Sequence, residues 1–178
     1  ANAQAKAAAA KAAAEKRKNL KKEDYIISKK TGEVIVREQP TINGQQFNIE
    51  ECTGCDIFLL DHINTSFIDY CEDCRIFVGP VETSIFVRNC KNCSFIIACQ
   101  QFRCVDCKDC RLSLFCMTEP IIETSTNMKF ACFDFGYFSL GNQLAQARLK
   151  TWNNKWWMVH DFNKNSEKPN WGLLPQEE

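Results

Sequence analysis

Four Cys-x-x-Cys pairs are the part of this 178-residue chain with the plainest capacity for chemistry. They fall at Cys52/Cys55, Cys71/Cys74, Cys90/Cys93 and Cys107/Cys110, among 12 cysteines in all. Two neighbouring pairs, Cys52-x2-Cys55-x15-Cys71-x2-Cys74, have the spacing at which four thiolates surround a zinc ion. The even count also raises a secreted disulfide scaffold. A chain of this length builds a core without such staples, however, and its Ala/Lys start carries no apolar secretory segment. Other constellations are thin. His62 and His160 stand near no patterned Ser or Cys nucleophile, and the seven glycines form neither phosphate-cradling loop. Asp-rich metal loops are absent too, so an independent metabolic enzyme is not expected.

The elements that must position these cysteines are read from a repeat. The pairs recur at offsets of 19, 19 and 17 residues. Three positions before each first cysteine stand Ile49, Ile68, Val87 and Cys104; two after each second stand Ile57, Ile76, Phe95 and Leu112. Leu59, Val78, Ile97 and Leu114 follow two residues further on. A fifth unit lacks the pair and reads Ile122, Ser125, Met128, Phe130, Cys132. A period of 17 to 19 with β-branched and aromatic alternation predicts one coil of a parallel β-solenoid per repeat, about five coils in all. The residues inside each pair are turn formers, so both cysteines straddle a corner and point inward. Because Ser125 and Met128 replace the fifth pair, buried thiol ladders are favoured and zinc is the alternative.

Charge divides the chain unevenly. Residues 1–22 hold seven bases and one acid, a net of +6, so the remainder totals −6 and the whole is neutral. Ten of the first 14 residues are Ala, which predicts a solvated basic helix over 1–23. Such an arm is a tail or linker, an electrostatic tether to a microtubule surface, anionic lipid or nucleic acid, or a transit segment. Neutrality excludes a bulk polycation for nucleic acid, and no apolar run reaches the roughly 18 residues of a membrane span. The solenoid then occupies 24–132. An aromatic cap with a short helix near Leu140–Lys150 occupies 133–178, built on Phe133, Phe135, Tyr137, Phe138, Trp152, Trp156 and Trp157.

Alternation turns Asn48, Phe67, Phe86 and Arg103 outward on one stripe. Either the C-terminal aromatics fold over it or it is a docking surface with a charged centre. Three strings on and beside this stripe carry a resemblance: Gly79-Pro80-Val81 with Ser84 to Cys90, Ala98-Cys99-Gln100-Gln101-Phe102-Arg103, and Pro120-Ile121-Ile122-Glu123. With Gly44 to Phe47, Trp152-Asn153-Asn154, His160-Asp161-Phe162 and Asn170 to Pro175, they resemble the tubulin-binding cofactor C domain (C-CAP/cofactor C-like) family, more closely its retinitis pigmentosa 2 branch, over roughly 24–175.

That resemblance implies a right-handed parallel β-helix, all-β apart from its arm and cap helix. It implies activation of GTP hydrolysis in a partner, an Arf-like ciliary small GTPase or tubulin, with GTP and Mg held by the partner and no cofactor of the chain's own. Arg103 takes the place of the arginine finger, with Gln100, Gln101 and Glu123 as motif positions and Phe67, Phe86 and Phe102 as partner contacts. Geometry adds that Gln101 faces the same way as Arg103, and that Glu123 lies diagonally beside it on the next coil, where it could hold the guanidinium. The resemblance places the protein in the cytoplasm, at a cilium, flagellum or the cytoskeleton. A lipid-accepting Met-Gly-Cys start and a second, nucleotide-kinase-like domain belong to that branch, and neither is expected here. The rival expectation is a non-catalytic structural or adaptor component of cilia or microtubules, with the solenoid as a rigid block and residues 1–22 as tether.

Overall fold

The corners set the coil. In the structure, a computed structural model that describes residues 21–164 and 167–175, the residue before each cysteine position has a left-handed backbone. Before the first position these are Glu51, Tyr70, Asn89, Asp106 and Thr124, with φ of 45–55°; before the second, Gly54, Asp73, Asn92, Asp109 and Asn127, with φ of 49–62°. A left-handed residue turns the chain sharply, and Gly, Asn and Asp bear it at least cost. The residue between the two cysteines then stacks on its counterpart through the parallel bridges Thr31–Thr53–Glu72–Lys91–Lys108–Thr126.

Along the chain the strands are β1 (Ile26–Ser28), β2 (Val34–Glu38), β3 (Phe47–Glu50), β4 (Asp56–Leu60), β5 (Ser66–Asp69) and β6 (Arg75–Arg88). They continue as β7 (Ser94–Val105), β8 (Arg111–Cys116), β9 (Ile121–Glu123), β10 (Met128–Cys132), β11 (His160–Asp161) and β12 (Trp171–Leu173). Every pairing is parallel and the result is a β-solenoid. One face is β1, β3, β5, the second halves of β6 and β7, then β9 and β11. The other is β2, β4, the first halves of β6 and β7, then β8, β10 and β12. The inward positions read from the repeat are all buried, Ile49 through Leu114 and Ile122 to Phe130. Cys132 differs: it stacks in register on Leu114 yet is exposed, because β12 ends on Phe130 and nothing covers it.

Eleven of the 12 cysteines are buried and all are free thiols. In both ladders the sulfurs donate to main-chain carbonyls, as Cys74 Sγ does to Glu72 O (3.2 Å) and Cys52 O (3.4 Å). Ser125 continues the first ladder in the same manner, its hydroxyl donating to Glu123 O and accepting from Cys107 N at 3.0 Å. Burial pushes the Cys99 thiol well above its ordinary range. Among the described residues no group of three His, Cys, Asp or Glu is placed to hold a metal.

The segment after β10 departs from a simple end cap. Phe135 and Tyr137 lie on the outward-facing Phe77 (centroids 4.4 and 5.5 Å), which is why a residue between two core positions is only 2% exposed. Helix α1 (Leu140–Gln146) follows; buried Gln143 donates to Leu60 O at 3.0 Å and accepts from the Tyr137 hydroxyl. Ala147 and Leu149 pack on Ala98 and Phe115 of the same outer face. Residues 133–149 are thus a strap across one sheet, and β11 and β12 add a seventh coil to the six that begin with β1 and β2. Trp156 and Trp171 pack on the core at that end, while Phe138, Trp152 and Trp157, expected in the cap, stand in solvent. The arm expected over 1–23 lies, through residue 20, outside the described residues; a 3-10 helix (Lys22–Tyr25) leads into β1. Among the described residues no helix is long and apolar enough to cross a membrane.

The bend between the faces rests on Asp61. Its buried carboxylate accepts from the amides of Ile42 (2.8 Å), Asn43 (2.7 Å) and His62 (2.8 Å). Gly79 lies against the same stretch, where a Cβ would come within 2.2 Å of Asp61 O and 2.7 Å of Leu59 O. Gly79→Ala must displace main chain, and a loss of about 2–3 kcal/mol is expected in urea unfolding. The ladders make a contrasting prediction. Cys107→Ser should cost no more than about 1 kcal/mol, since a hydroxyl keeps the carbonyl bond, whereas a stoichiometric zinc signal with a chelator-induced drop in Tm would overturn the thiol reading.

Candidate functional site

On the outer side of the first face, register alone builds a row. Asn48, Phe67, Phe86, Arg103, Ile121 and His160 stand directly opposite one another on successive coils. Phe67 and Phe86 stack with centroids 5.0 Å apart and planes at 9°. Beside them Arg88 forms a two-pronged pair with Asp69 (2.7 and 2.6 Å), which holds its guanidinium more firmly protonated, and lies over the Phe67 ring at 5.2 Å. The C-terminal aromatics do not cover this stack; it is half-buried by its own neighbours.

Arg103 is different. It is exposed, and among the described residues no carboxylate pairs with it. The guanidinium rests over the ring of Phe162, 5.9 Å from the centroid, two residues beyond the His160 that ends the row. This corrects the expected bond to Glu123. That residue stands opposite Val105, on the same face and diagonal to Arg103, but no ion pair joins them. The long side chain extends across the coil of Ile121 instead and meets the last coil.

The strand places Gln101 beside the finger position. Ser84, opposite it on β6, donates to Gln101 Oε1 at 3.0 Å, and the amide nitrogen has no protein partner among the described residues. Gln100 is half-buried, and its carbonyl accepts from the Thr118 amide (3.1 Å) and hydroxyl (3.2 Å), so what is seen of it is an anchor for the bend. Phe102 is a second correction. At 2% exposure its ring sits edge-on to Phe130 (6.5 Å) inside the coil, so it is core and not a partner contact.

An open groove of about 550 Å3 beside this row is lined by Ser84, Phe86, Gln101 and Arg103 together with Thr118, Glu119 and Lys155. Of the residues singled out from sequence, the groove's lining thus brings together Phe86, Gln101, Arg103 and the largely buried Phe102; Gln100, Glu123 and Phe67 lie outside it. Phe162 and Lys155 were missed. Their signal was present, because Phe162 closes one quoted string (His160-Asp161-Phe162) and Lys155 follows another (Trp152-Asn153-Asn154), but nothing in spacing says that the last coil returns to Arg103. A positive, partly apolar groove with one unpaired guanidinium suits an oxyanion or an acidic partner surface.

The repeat offset marks the same place. Between β6 and β7 it falls from 19 (Val78 opposite Ile97) through 18 (Val81 opposite Cys99) to 17 (Ser84 opposite Gln101). Two residues are lost at the bend directly before Arg103, which accounts for the shortened third spacing of the cysteine pairs.

The family model for tubulin binding cofactor C matches residues 44–162. Protein XRP2 of Danio rerio is 47% identical over 163 residues, 92% of this chain and 43% of its own. Tubulin-specific chaperone C of Mus musculus is 34% identical over 85 residues, 46% of this chain and 25% of its own. The chain therefore spans less than half the length of these curated relatives. Among solved structures, tubulin binding cofactor C from Leishmania major superposes with a TM-score of 0.61 at 28% identity, covering 70% of this chain and 86% of that one. A family model matched across 44–162, on a solenoid of the same kind, means that this chain belongs to the tubulin binding cofactor C family.

Proposed function

We propose that this chain activates GTP hydrolysis in a GTP-binding partner, an Arf-like small GTPase or tubulin, by inserting Arg103 beside the partner's γ-phosphate. One observation carries the reading: Arg103 is an exposed guanidinium without a carboxylate, on a hydrogen-bonded strand at the edge of an open groove. In phosphoryl transfer, charge spreads over the equatorial oxygens, and a planar, always-charged fork can bridge them. Gln101 contributes a carboxamide next to it, and Phe86 an aromatic wall. GTP and Mg belong to the partner's own site; this chain supplies the cation and its orientation. The reading places the protein where such partners work, in the cytoplasm, at a cilium or on the cytoskeleton.

The test is single-turnover GTP hydrolysis by a panel of Arf-like GTPases and tubulin, with this chain and two variants. A finger supplied in trans is worth about 10³–10⁵ in rate. Arg103→Ala should remove most of that, and so should Arg103→Lys, because a point charge lacks the fork. Both should stay folded, losing at most the Phe162 ring contact of about 0.5–1 kcal/mol, since the side chain is exposed. Acceleration that survives Arg103→Ala would sink the proposal.

A second reading, a structural or adaptor component, is favoured by one observation of charge: residues 1–22 carry +6 against −6 in the remainder. It predicts that the chain pellets with microtubules, that deleting residues 1–22 abolishes this, and that Arg103→Ala changes nothing.

A further inference from the structure

Lys155 is the second cation of the groove, and it is held there deliberately. Its amide donates to Cys116 O at 2.7 Å. The residue before it, Asn154, accepts from the amides of Cys116 (3.0 Å) and Trp156 (3.1 Å) through one carboxamide oxygen. Asn153 donates to Met117 O at 3.4 Å, and Trp156 packs against the core. Four consecutive residues are thus clamped to the end of β8, and Lys155 lines the same groove as Arg103. No ion pair joins Lys155 to Glu119, the acid of that wall, or to any other carboxylate among the described residues. The clamp fixes the main chain from which this ammonium projects, and among the described residues no carboxylate pairs with it.

We propose that Lys155 is an affinity and specificity determinant, pairing with a carboxylate on the rim of the partner's nucleotide site while Arg103 enters it. The proposal rests on the activator reading only in taking the groove as the docking site. A carboxylate is the occupant that charge favours: the groove carries Arg103 and Lys155 against Glu119 alone, in a chain that is neutral overall. A compact, well-hydrated ammonium in the same groove as the finger suits a rim contact with the partner's surface. Such a contact acts on encounter and docking, not on the chemical step.

The experiment measures association and hydrolysis separately, on the same panel loaded with GTP or a non-hydrolysable analogue. The proteins are the wild type, Lys155→Ala, Lys155→Arg and Arg103→Ala, each checked for unchanged Tm. Lys155→Ala should weaken association roughly five- to tenfold at low ionic strength, raising KM while the saturating rate stays put, with the difference shrinking as salt is added. Lys155→Arg should restore it. Unchanged association in Lys155→Ala overturns the proposal, as does a fall in the saturating rate, which would put the ammonium at the phosphates instead. If a panel member binds in a Lys155-dependent way but is not accelerated, the activator reading fails and this one stands. If no member binds, both fall.

Discussion

Parallel hydrogen bonding between equivalent residues of successive coils is the constraint on which everything else depends. From β3 to β10 it makes a residue's neighbours those 17 to 19 positions away, so side chains interact in rows across the coils. The rows are sorted by charge. Asp56 lies under Arg75, Asp69 under Arg88 and Glu72 under Lys91, each an ion pair in register. Asp73 and Asn92, then Asp109 and Asn127, are joined by side-chain amides at the corners. Arg103 falls in the row whose flanking members are Phe86 and Ile121. Register thereby withholds from it the carboxylate that it gives to Arg75 and Arg88.

Much of this was legible in the sequence because a solenoid has one coordinate. Once the cysteine pairs fixed the period, the inward positions, the corners and the outward row from Asn48 to Arg103 followed by counting. The inward stacking of the cysteines was legible for the same reason, with Ser125 and Met128 continuing both rows in the unit that lacks the pair. Counting failed where the chain leaves the period. Phe77 reads as an outward strand position, and only the strap of Phe135 and Tyr137 explains its burial. Cys132 reads as inward, but its coil has no cover above it. Phe102 stands next to the finger in sequence, and the alternation that turns Arg103 out necessarily turns Phe102 in; its core role was available from the pattern and was overridden by the string it belongs to. Glu123 and Phe162 fail differently, because rotamer and reach decide which of two outward residues a long side chain meets.

The shortened bend ties the departure from the period to the site. A coil two residues shorter between the faces draws in the turn at Ala98–Gln101, and the neighbouring coil is pinned to it through Thr118 on the Gln100 carbonyl. The groove lies on the side where the loops after β8 and around Lys155 must pass over this bend. Irregularity in an otherwise regular stack thus creates a concavity that a flat sheet face lacks, next to the residue with the exposed cation. The buried Asp61 and the bare Gly79 hold the preceding coil at the same bend, so the concavity is braced from both sides.

The resting place of Arg103 matters to what it can do. A guanidinium locked by a carboxylate would have to break a charge-assisted pair before entering another protein's site, and that loss would be subtracted from any gain at the phosphate. A ring contact at an exposed site is worth only about 0.5–1 kcal/mol, enough to bias the rotamer and small beside the stabilisation a finger must supply. The backbone beneath it is fixed by pairing on both sides, so insertion orders a single side chain, at roughly 2 kcal/mol of rotamer entropy, and no loop. A finger on a stacked strand and a lysine on a clamped loop are therefore two ways of meeting one requirement: the backbone under each charge is fixed before the partner arrives, and among the described residues no carboxylate neutralises it first.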